Sequence, residues 1–512
     1  MQHTRTQQLQ RQGFRSLPAL KTLAVAAAAL TSLALMSAPA FASPFFVPGN
    51  LVVSVEGNGV YGATSGSYTD NQASPLTLFQ FQTNGTSSAS YVNSMVLPQS
   101  SSGKNSAVSA EYGSSSEGML QLSGDGKYLT IMGYGINAAT FNANPTQYGT
   151  AQNDPTKPNA LAQSGSMTNQ TAYTPIARVV ALIDAAGTVD SSTTLYNVFN
   201  GNNPRSAATV DGSSFYVSGQ GVSGDKTGGV FYATKGSSSA TAITGLDTDS
   251  HASAQDTRVV QIHNGQLYVS VDSKQGSGNN RDFIGTLGAP GALPTSLANG
   301  GNGPTQLTGY AASGAGKFTI TAANGNGINA PGALVNLSPE SYYFANASTL
   351  YVADSGIPKN DSALAKGDTR STTYGDGGLQ KWVNSKPDGS GTWVMAYTLS
   401  TGLNLVKNDS ASGTTGLLGL TGQTMPDGEV QLFATNYTIG DTDPTFLFGI
   451  SDLLSASVKP GDEAFTLLAS APADSTFKGV SFAPSSVPEP ASGALLLLGL
   501  GGLLAARRRK SM

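Results

Sequence analysis

Asp211-Gly212-Ser213-Ser214-Phe215-Tyr216-Val217 reads as a tight turn followed at once by a β-strand. Asp-Gly and Asn-Gly pairs favour type I′ hairpin turns, in which both central residues take positive φ. The same unit recurs along the chain. Asp125-Gly126 leads into Lys127-Tyr128-Leu129-Thr130-Ile131, Asn264-Gly265 into Leu267-Tyr268-Val269, and Asp427-Gly428 into Val430-Gln431-Leu432-Phe433. Ala347-Ser348 leads into Leu350-Tyr351-Val352 with a less typical turn. A β-rich run lies upstream, as in Arg258-Val259-Val260-Gln261-Ile262, so each unit is a hairpin.

A second hairpin follows the first. Gly228-Gly229-Val230-Phe231-Tyr232 and Gly377-Gly378-Leu379-Gln380-Lys381-Trp382 open with the same glycine pair, and further turns are expected at Asn84-Gly85, Ala186-Gly187 and Asp388-Gly389. Two hairpins make a four-stranded antiparallel unit, and several units in a row make a β-propeller. A β-sandwich array or a β-helix is the alternative, but repeats this long exceed a β-helix coil. The marker aromatics Tyr128, Tyr216, Tyr268, Tyr351 and Phe433 lie 88, 52, 83 and 82 residues apart. Leu51-Val52-Val53-Ser54-Val55 resembles the second strand of a unit without its first. Phe477-Lys478-Gly479-Val480-Ser481-Phe482 is its expected partner. The expected fold is therefore all-β: a β-propeller of six blades, or seven if a long repeat hides another. Its ring is closed by pairing of the N- and C-terminal strands, which hides their edges. The polar stretches 137–175 and 358–374 read as insertions, and no amphipathic helix is expected in the body.

Both ends carry segments of another kind. Arg5, Arg11, Arg15 and Lys21 precede an apolar stretch from Leu23 to Met36, and Ala40-Phe41-Ala42 forms a small-x-small cleavage site. Residues 1–42 thus read as a secretory signal peptide for the Sec machinery, with the mature chain starting near Ser43. At the other end stand Val487-Pro488-Glu489-Pro490, then 16 uncharged residues from Ala491 to Ala506, then Arg507-Arg508-Arg509-Lys510. As a helix the uncharged run would measure about 24 Å against roughly 30 Å of hydrocarbon core. The basic cluster would hold the end on the cytoplasmic side.

This three-part end, residues 487–512, resembles the PEP-CTERM sorting signal of Gram-negative bacteria. The resemblance implies processing by an exosortase, a membrane-embedded enzyme, in a host that makes exopolysaccharide. It implies an inner-membrane anchor before processing and a cell-surface or extracellular place afterwards. The body, 43–486, is similar to a group of secreted bacterial propeller-like proteins that often carry the same signal. The matching stretches are Ser116-Glu117-Gly118-Met119-Leu120 through Gly133-Tyr134, Gly201-Asn202-Asn203-Pro204-Arg205, Thr257-Arg258-Val259-Val260, Thr349 to Asp354 and Phe477-Lys478-Gly479-Val480. That likeness implies the fold and no particular reaction.

Composition narrows the chemistry. The chain has no cysteine, which excludes disulfides, thiol catalysis and zinc-cysteine sites. It holds 27 basic and 31 acidic residues; eight of the basic ones and Glu489 lie in the terminal segments, leaving 19 and 30 in the body, a net charge of −11. Such a balance argues against nucleic acid as a partner. Only His251 and His263 lie in the body, too few for a multi-histidine metal site.

In a propeller the first strand of each blade lines the central channel. The residues at its start are expected to be Lys478, Glu117, Arg205, Arg258 and Glu340, with Leu418 in the sixth place. Five charges at the channel mouth suit a polar site in which Arg205 and Arg258 fork a carboxylate or sugar acid. They equally suit Arg–Glu pairs that tie neighbouring blades together. Asp247-Thr248-Asp249 and Asp441-Thr442-Asp443 place alternating carboxylates on loops, as calcium requires, and equally read as solvated loop tips. Trp382 and Trp393 flank the Asp388-Gly389 turn, as a sugar platform or a cross-strand packing pair. The expectation is a non-enzymatic surface or matrix propeller without a required cofactor, whose partner is a polysaccharide or surface protein. The rival is a propeller-type polysaccharide hydrolase or lyase, or a lactonase, using calcium.

Overall fold

The computed structural model describes residues 44–151, 156–222, 224–244, 256–272, 283–301, 303–310, 319–321, 334–356 and 377–485. The described body is all-β with very little helix, and its sheets have a β-propeller arrangement. Four separate antiparallel sheets of four strands follow one another in sequence order. The first holds β9 (Pro204–Ala208), β10 (Ser214–Gly219), β11 (Gly229–Thr234) and β12 (Thr241–Ala242). The second holds β13 (Thr257–His263), β14 (Gln266–Val271), β15 (Phe283–Leu287) and β16 (Thr305–Gln306). A short ribbon of β17 (Thr319–Thr321) and β18 (Leu334–Asn336) intervenes. The third holds β19 (Pro339–Asn346), β20 (Thr349–Asp354), β21 (Gly378–Asn384) and β22 (Trp393–Leu399). The fourth holds β23 (Thr414–Thr424), β24 (Glu429–Thr438), β25 (Phe446–Leu453) and β26 (Thr466–Ser470).

The remaining strands form one nine-stranded sheet, which corrects the expectation of six or seven separate blades. Its members are β1 (Leu51–Gly57), β2 (Ala73–Asn84), β3 (Ser88–Val96), β4 (Ser109–Glu111), β5 (Gln121–Leu122), β6 (Tyr128–Tyr134), β7 (Arg178–Asp184), β8 (Val189–Leu195) and β27 (Ser475–Phe482). The physical reason is β4. It pairs with β2 through Ala73↔Glu111 and with β6 through Ser109↔Tyr134, so the run β27-β1-β2-β3 and the run β5-β6-β7-β8 share one ladder. β1 and β27 are antiparallel partners, from Leu51↔Phe482 to Gly57↔Ser475. Phe477 meets Phe79 and Phe81 edge-on at 6.2 Å each, which ties β27 to β2 across the intervening β1.

The hairpins stand where the turn pairs placed them, but most turns differ in type. Only Asn264-Gly265 has both residues at positive φ, 48° and 72°. In the Asp-Gly turns only the glycine of each pair, Gly126, Gly212, Gly389 and Gly428, is left-handed. Each aspartate instead turns its carboxylate onto the backbone: Asp125 accepts from Lys127 N at 3.1 Å, Asp211 from Ser213 N at 2.9 Å and Asp427 from Glu429 N at 3.1 Å.

The stretch 137–175 is more than a polar insertion. It contains α1 (Ala138–Ala143), capped by Asn137, whose side chain accepts from Thr140 N at 3.0 Å. Phe141, Tyr148, Leu161 and Ile176 form an apolar cluster with Tyr134. No helix of the described residues is long and apolar enough to cross a membrane. The signal peptide, the stretch 358–374, the sorting tail, His251, Asp247 and Asp249 lie outside the described residues.

Candidate functional site

One strand from each of six places surrounds the central cavity. Gln121 of β5, Ala208 of β9, Gln261 of β13, Tyr342 of β19, Leu420 of β23 and Ser481 of β27 all line a space of about 170 Å³. The expected ring residues sit at the opposite, starting ends of these strands or just ahead of them. None is offered to solvent: Glu117 is 1% exposed, Arg205 3%, Arg258 8%, Glu340 1%, Lys478 4% and Leu418 3%.

Three of the five charges form one cluster. Arg205 pairs with Asp256 and donates to the Thr257 carbonyl and to Gln220 Oε1, each at 3.1 Å. Arg258 Nη2 lies 3.1 Å from Asp272 Oδ2, its Nε 3.7 Å from Asp256, and its Nη1 3.7 Å from Glu340 Oε1. Arg205 thus links β9 to the residue ahead of β13, and Arg258 links β13 to β19. Lys478 and Glu117 belong to a second cluster. The Lys478 ammonium lies 3.5 Å from Glu56 of β1 and donates to the Ser114 carbonyl. Glu117 accepts from Asn203 Nδ2 at 2.9 Å and from the Tyr134 hydroxyl at 3.3 Å.

Burial dominates the electrostatics. It pushes the Glu340 carboxyl up to about 8 despite Arg258, whose 3.7 Å approach is too loose to offset the lost hydration. Burial also raises Glu56 well above the carboxylate range, against the pull of Lys478, and raises Glu117. Arg205 is lowered by burial and by the like charge of Arg258. Arg258 is itself pulled down by burial, but Glu340, Asp256 and Asp272 together outweigh that and raise it.

Side-chain hydroxyls fix the strands that carry these charges. Ser218 of β10 donates to the Arg258 carbonyl at 2.6 Å, and Ser270 of β14 to the Glu340 carbonyl at 2.5 Å. Thr435 of β24 donates to the Lys478 carbonyl. Ser54 of β1 donates to Gly118 O and Thr130 of β6 to Ala207 O, both at 2.6 Å. In each case the second strand of one run holds the channel-lining segment of the next.

The other expected sites fare differently. Asp443 is spent on its own loop, accepting from Gly440 N at 2.7 Å and Gly413 N at 2.9 Å, and Asp441 is half-buried beside it. Among the described residues no three His, Asp or Glu side chains are grouped to hold a metal ion. Trp382 is fully buried, stacked on Tyr310 at 4.1 Å. The register sets Trp382 opposite Met395 and Trp393 opposite Asn384, so the two tryptophans are not a cross-strand pair. His263 stacks on Phe344 at 4.5 Å.

Sequence reasoning missed the partner acids. Val53-Ser54-Val55-Glu56 and Val269-Ser270-Val271-Asp272 share a pattern: the stapling hydroxyl, then an acid two residues on, on the same strand face. It also missed a buried group between the third and fourth four-stranded sheets. Lys381 lies 3.0 Å from Asp452, which accepts from Tyr351 at 2.6 Å and Tyr397 at 2.8 Å. Burial and the neighbouring Asp452 push Glu463 up to about 8.

The end of the chain is the part that known proteins explain. Residues 486–510 match the PEP-CTERM protein-sorting motif. The motif marks an exported protein processed by an exosortase. No curated protein matches the chain. Among solved structures, an endo-arabinase from Bacteroides thetaiotaomicron is similar at 11% identity and a TM-score of 0.28, over 54% of this chain and 91% of that one. The GH43 BlXynB protein from Bacillus licheniformis is similar at 8% identity and 0.29, over 73% and 58%. A sialidase from Trypanosoma rangeli is similar at 11% and 0.33, over 83% and 56%. Likeness of this degree says nothing about the chemistry of this PEP-CTERM protein.

Proposed function

We propose that this is a non-enzymatic cell-surface or matrix scaffold that binds a polysaccharide or surface protein. In this reading residues 1–42 are removed on export, 43–486 form the folded body, and the C-terminal segment anchors the chain in the inner membrane until the exosortase acts. One observation carries the scaffold reading: the five ring charges are buried and engaged with partners on neighbouring strands or segments. Groups committed in this way are costly to unpair and are not free to grip a substrate.

A glycan- or lactone-acting hydrolase or lyase is the second reading. The Asp452–Glu463 pair favours it, because one acid lies 3.0 Å from the Lys381 ammonium while the other is pushed up to about 8 by burial and by its neighbour. Incubating the purified protein with the host exopolysaccharide separates the two. The scaffold reading expects the protein to sediment with the polymer and the polymer to keep its length. A fall in polymer length that Glu463→Gln abolishes would establish the hydrolase instead.

A further inference from the structure

The second and third four-stranded sheets leave a groove of about 420 Å³ between them. Its lining includes His263, Gln266, Tyr268, Phe344, Asp388 and Trp393. It opens at the turn ends of β13 and β19, the ends away from Arg258 and Glu340.

The chemistry of the lining is specific. The Trp393 indole N–H and the Tyr268 hydroxyl make no hydrogen bond to a described residue; Tyr268 is half-buried, and Trp393, 4% exposed, borders the groove. The Gln266 amide nitrogen is committed to the carbonyls of Leu287, at 2.8 Å, and Leu267, at 3.2 Å, which leaves Oε1 as an acceptor. His263 has its Nε2 3.1 Å from Asn264 Nδ2, and burial lowers its pKa, which disfavours the charged ring. Among the described residues no Lys or Arg lines the groove. Its one charge is Asp388, whose carboxylate is fixed by Ser390 N at 3.0 Å. Rings set beside neutral donors and acceptors match a pyranose, which packs C–H groups on aromatic surface and spends its hydroxyls on hydrogen bonds. With a carboxylate at its mouth and no arginine fork among its described lining, the groove favours neutral over acidic sugars, although Lys386 stands near Asp388.

We propose that this groove binds a neutral saccharide chain. The inference rests on the polysaccharide-binding reading above and names its site and ligand class. Only Trp393 of the two tryptophans borders the groove, since Trp382 is buried under Tyr310. Intrinsic fluorescence therefore reports occupancy. The purified protein is titrated with cellohexaose and mannohexaose as neutral probes and trigalacturonate as an acidic one. A saturable change in emission is expected with a neutral probe, insensitive to salt, and none with trigalacturonate. Tyr268→Phe should weaken that binding about tenfold, one hydrogen bond's worth. Thr286→Tyr, which fills the groove, should abolish it without lowering the melting temperature. Binding of trigalacturonate alone, or of none of the probes, overturns the groove assignment. Neutral binding that both variants leave intact also overturns it while keeping the polysaccharide reading. That reading fails separately, if the host polymer does not sediment with the protein.

Discussion

The Ser218 hydroxyl donates to the Arg258 carbonyl at 2.6 Å, so the strand carrying the most heavily paired arginine is held by its neighbour's side chain. The bond crosses from the sheet of β10 to that of β13. Ser218→Ala leaves a buried carbonyl without this donor and should cost about 1–3 kcal/mol of stability. Ser213→Ala, at an exposed turn, should cost less than about 0.5 kcal/mol. Urea denaturation of both variants checks the contrast, and equal losses would remove the role given to the cross-sheet bond.

Arg258→Ala should destabilise the body by about 3 kcal/mol, because Asp272, Asp256 and Glu340 lose the cation they share in a buried place. Arg205→Ala should act in the same direction through Asp256. Binding of the neutral probes should be unchanged in both. Variants as stable as the parent that no longer bind an acidic sugar would restore the ring to a ligand role.

The buried Glu340 carboxyl makes stability depend on pH. Its folded value, about 8, lies above its ordinary 4.5, so the folded state binds the proton more tightly. That contribution is complete below about 4.5 and is lost as pH rises through 8. Arg258 and Arg205 oppose the shift, while Asp272 and Asp256 add to it. Glu340→Gln should flatten the fall in melting temperature between pH 5 and pH 8, relative to the parent. Parallel curves would show that Glu340 is not the group responsible.

Removing residues 475–485 deletes β27 and bares β1, whose seven residues are all buried in the intact fold. An unpaired hydrophobic edge invites aggregation. Loss of the monomer peak in size-exclusion chromatography is expected, and a truncated protein that melts like the parent would show that the pairing is dispensable.

Replacing Pro488, Glu489 and Pro490 with Ala should leave the protein exported but retained in the inner membrane. Fractionation of cells expressing the variant measures this. Release at the parental level would separate the motif from sorting.

The hairpins were legible because a turn pair and the strand after it are local in sequence. Ring positions such as Arg205 and Arg258 were legible for the same reason, as they open channel-lining strands. Their partners were harder to see: Asp256 meets Arg205, and Asp272 meets Arg258, only once separate strands are packed. The repeated Val-Ser-Val-acid pattern was the available signal. The merging of sheets through β4 was not legible, since Ala73↔Glu111 is a long-range pairing of three residues with no turn to announce it. Stretch 137–175 misled through its polar composition. Phe141, Tyr148, Leu161 and Ile176 follow no strand or helix period and become a core only by converging near Tyr134.

The pairing of β27 with β1 has a mechanical side. Phe482, at the end of β27, faces Leu51, and the sorting motif begins only five residues later. If the tail is tethered as proposed, tension on it reaches the body through Ser485 and Ala483, bonded to Gly126 and Asn50, and then through β27. A pull away from the sheet would first break the bonds of Ser485 to Gly126 and of Ala483 to Asn50, each 2.8 Å, and then peel β27 one rung after another from Leu51↔Phe482. A pull along the strand would have to shear every rung together. Severing the tail beyond Ser485 relieves the tension and leaves the whole ladder in place. Under the proposed sorting, cutting the tail and keeping the fold intact are therefore decoupled by a gap of a few residues.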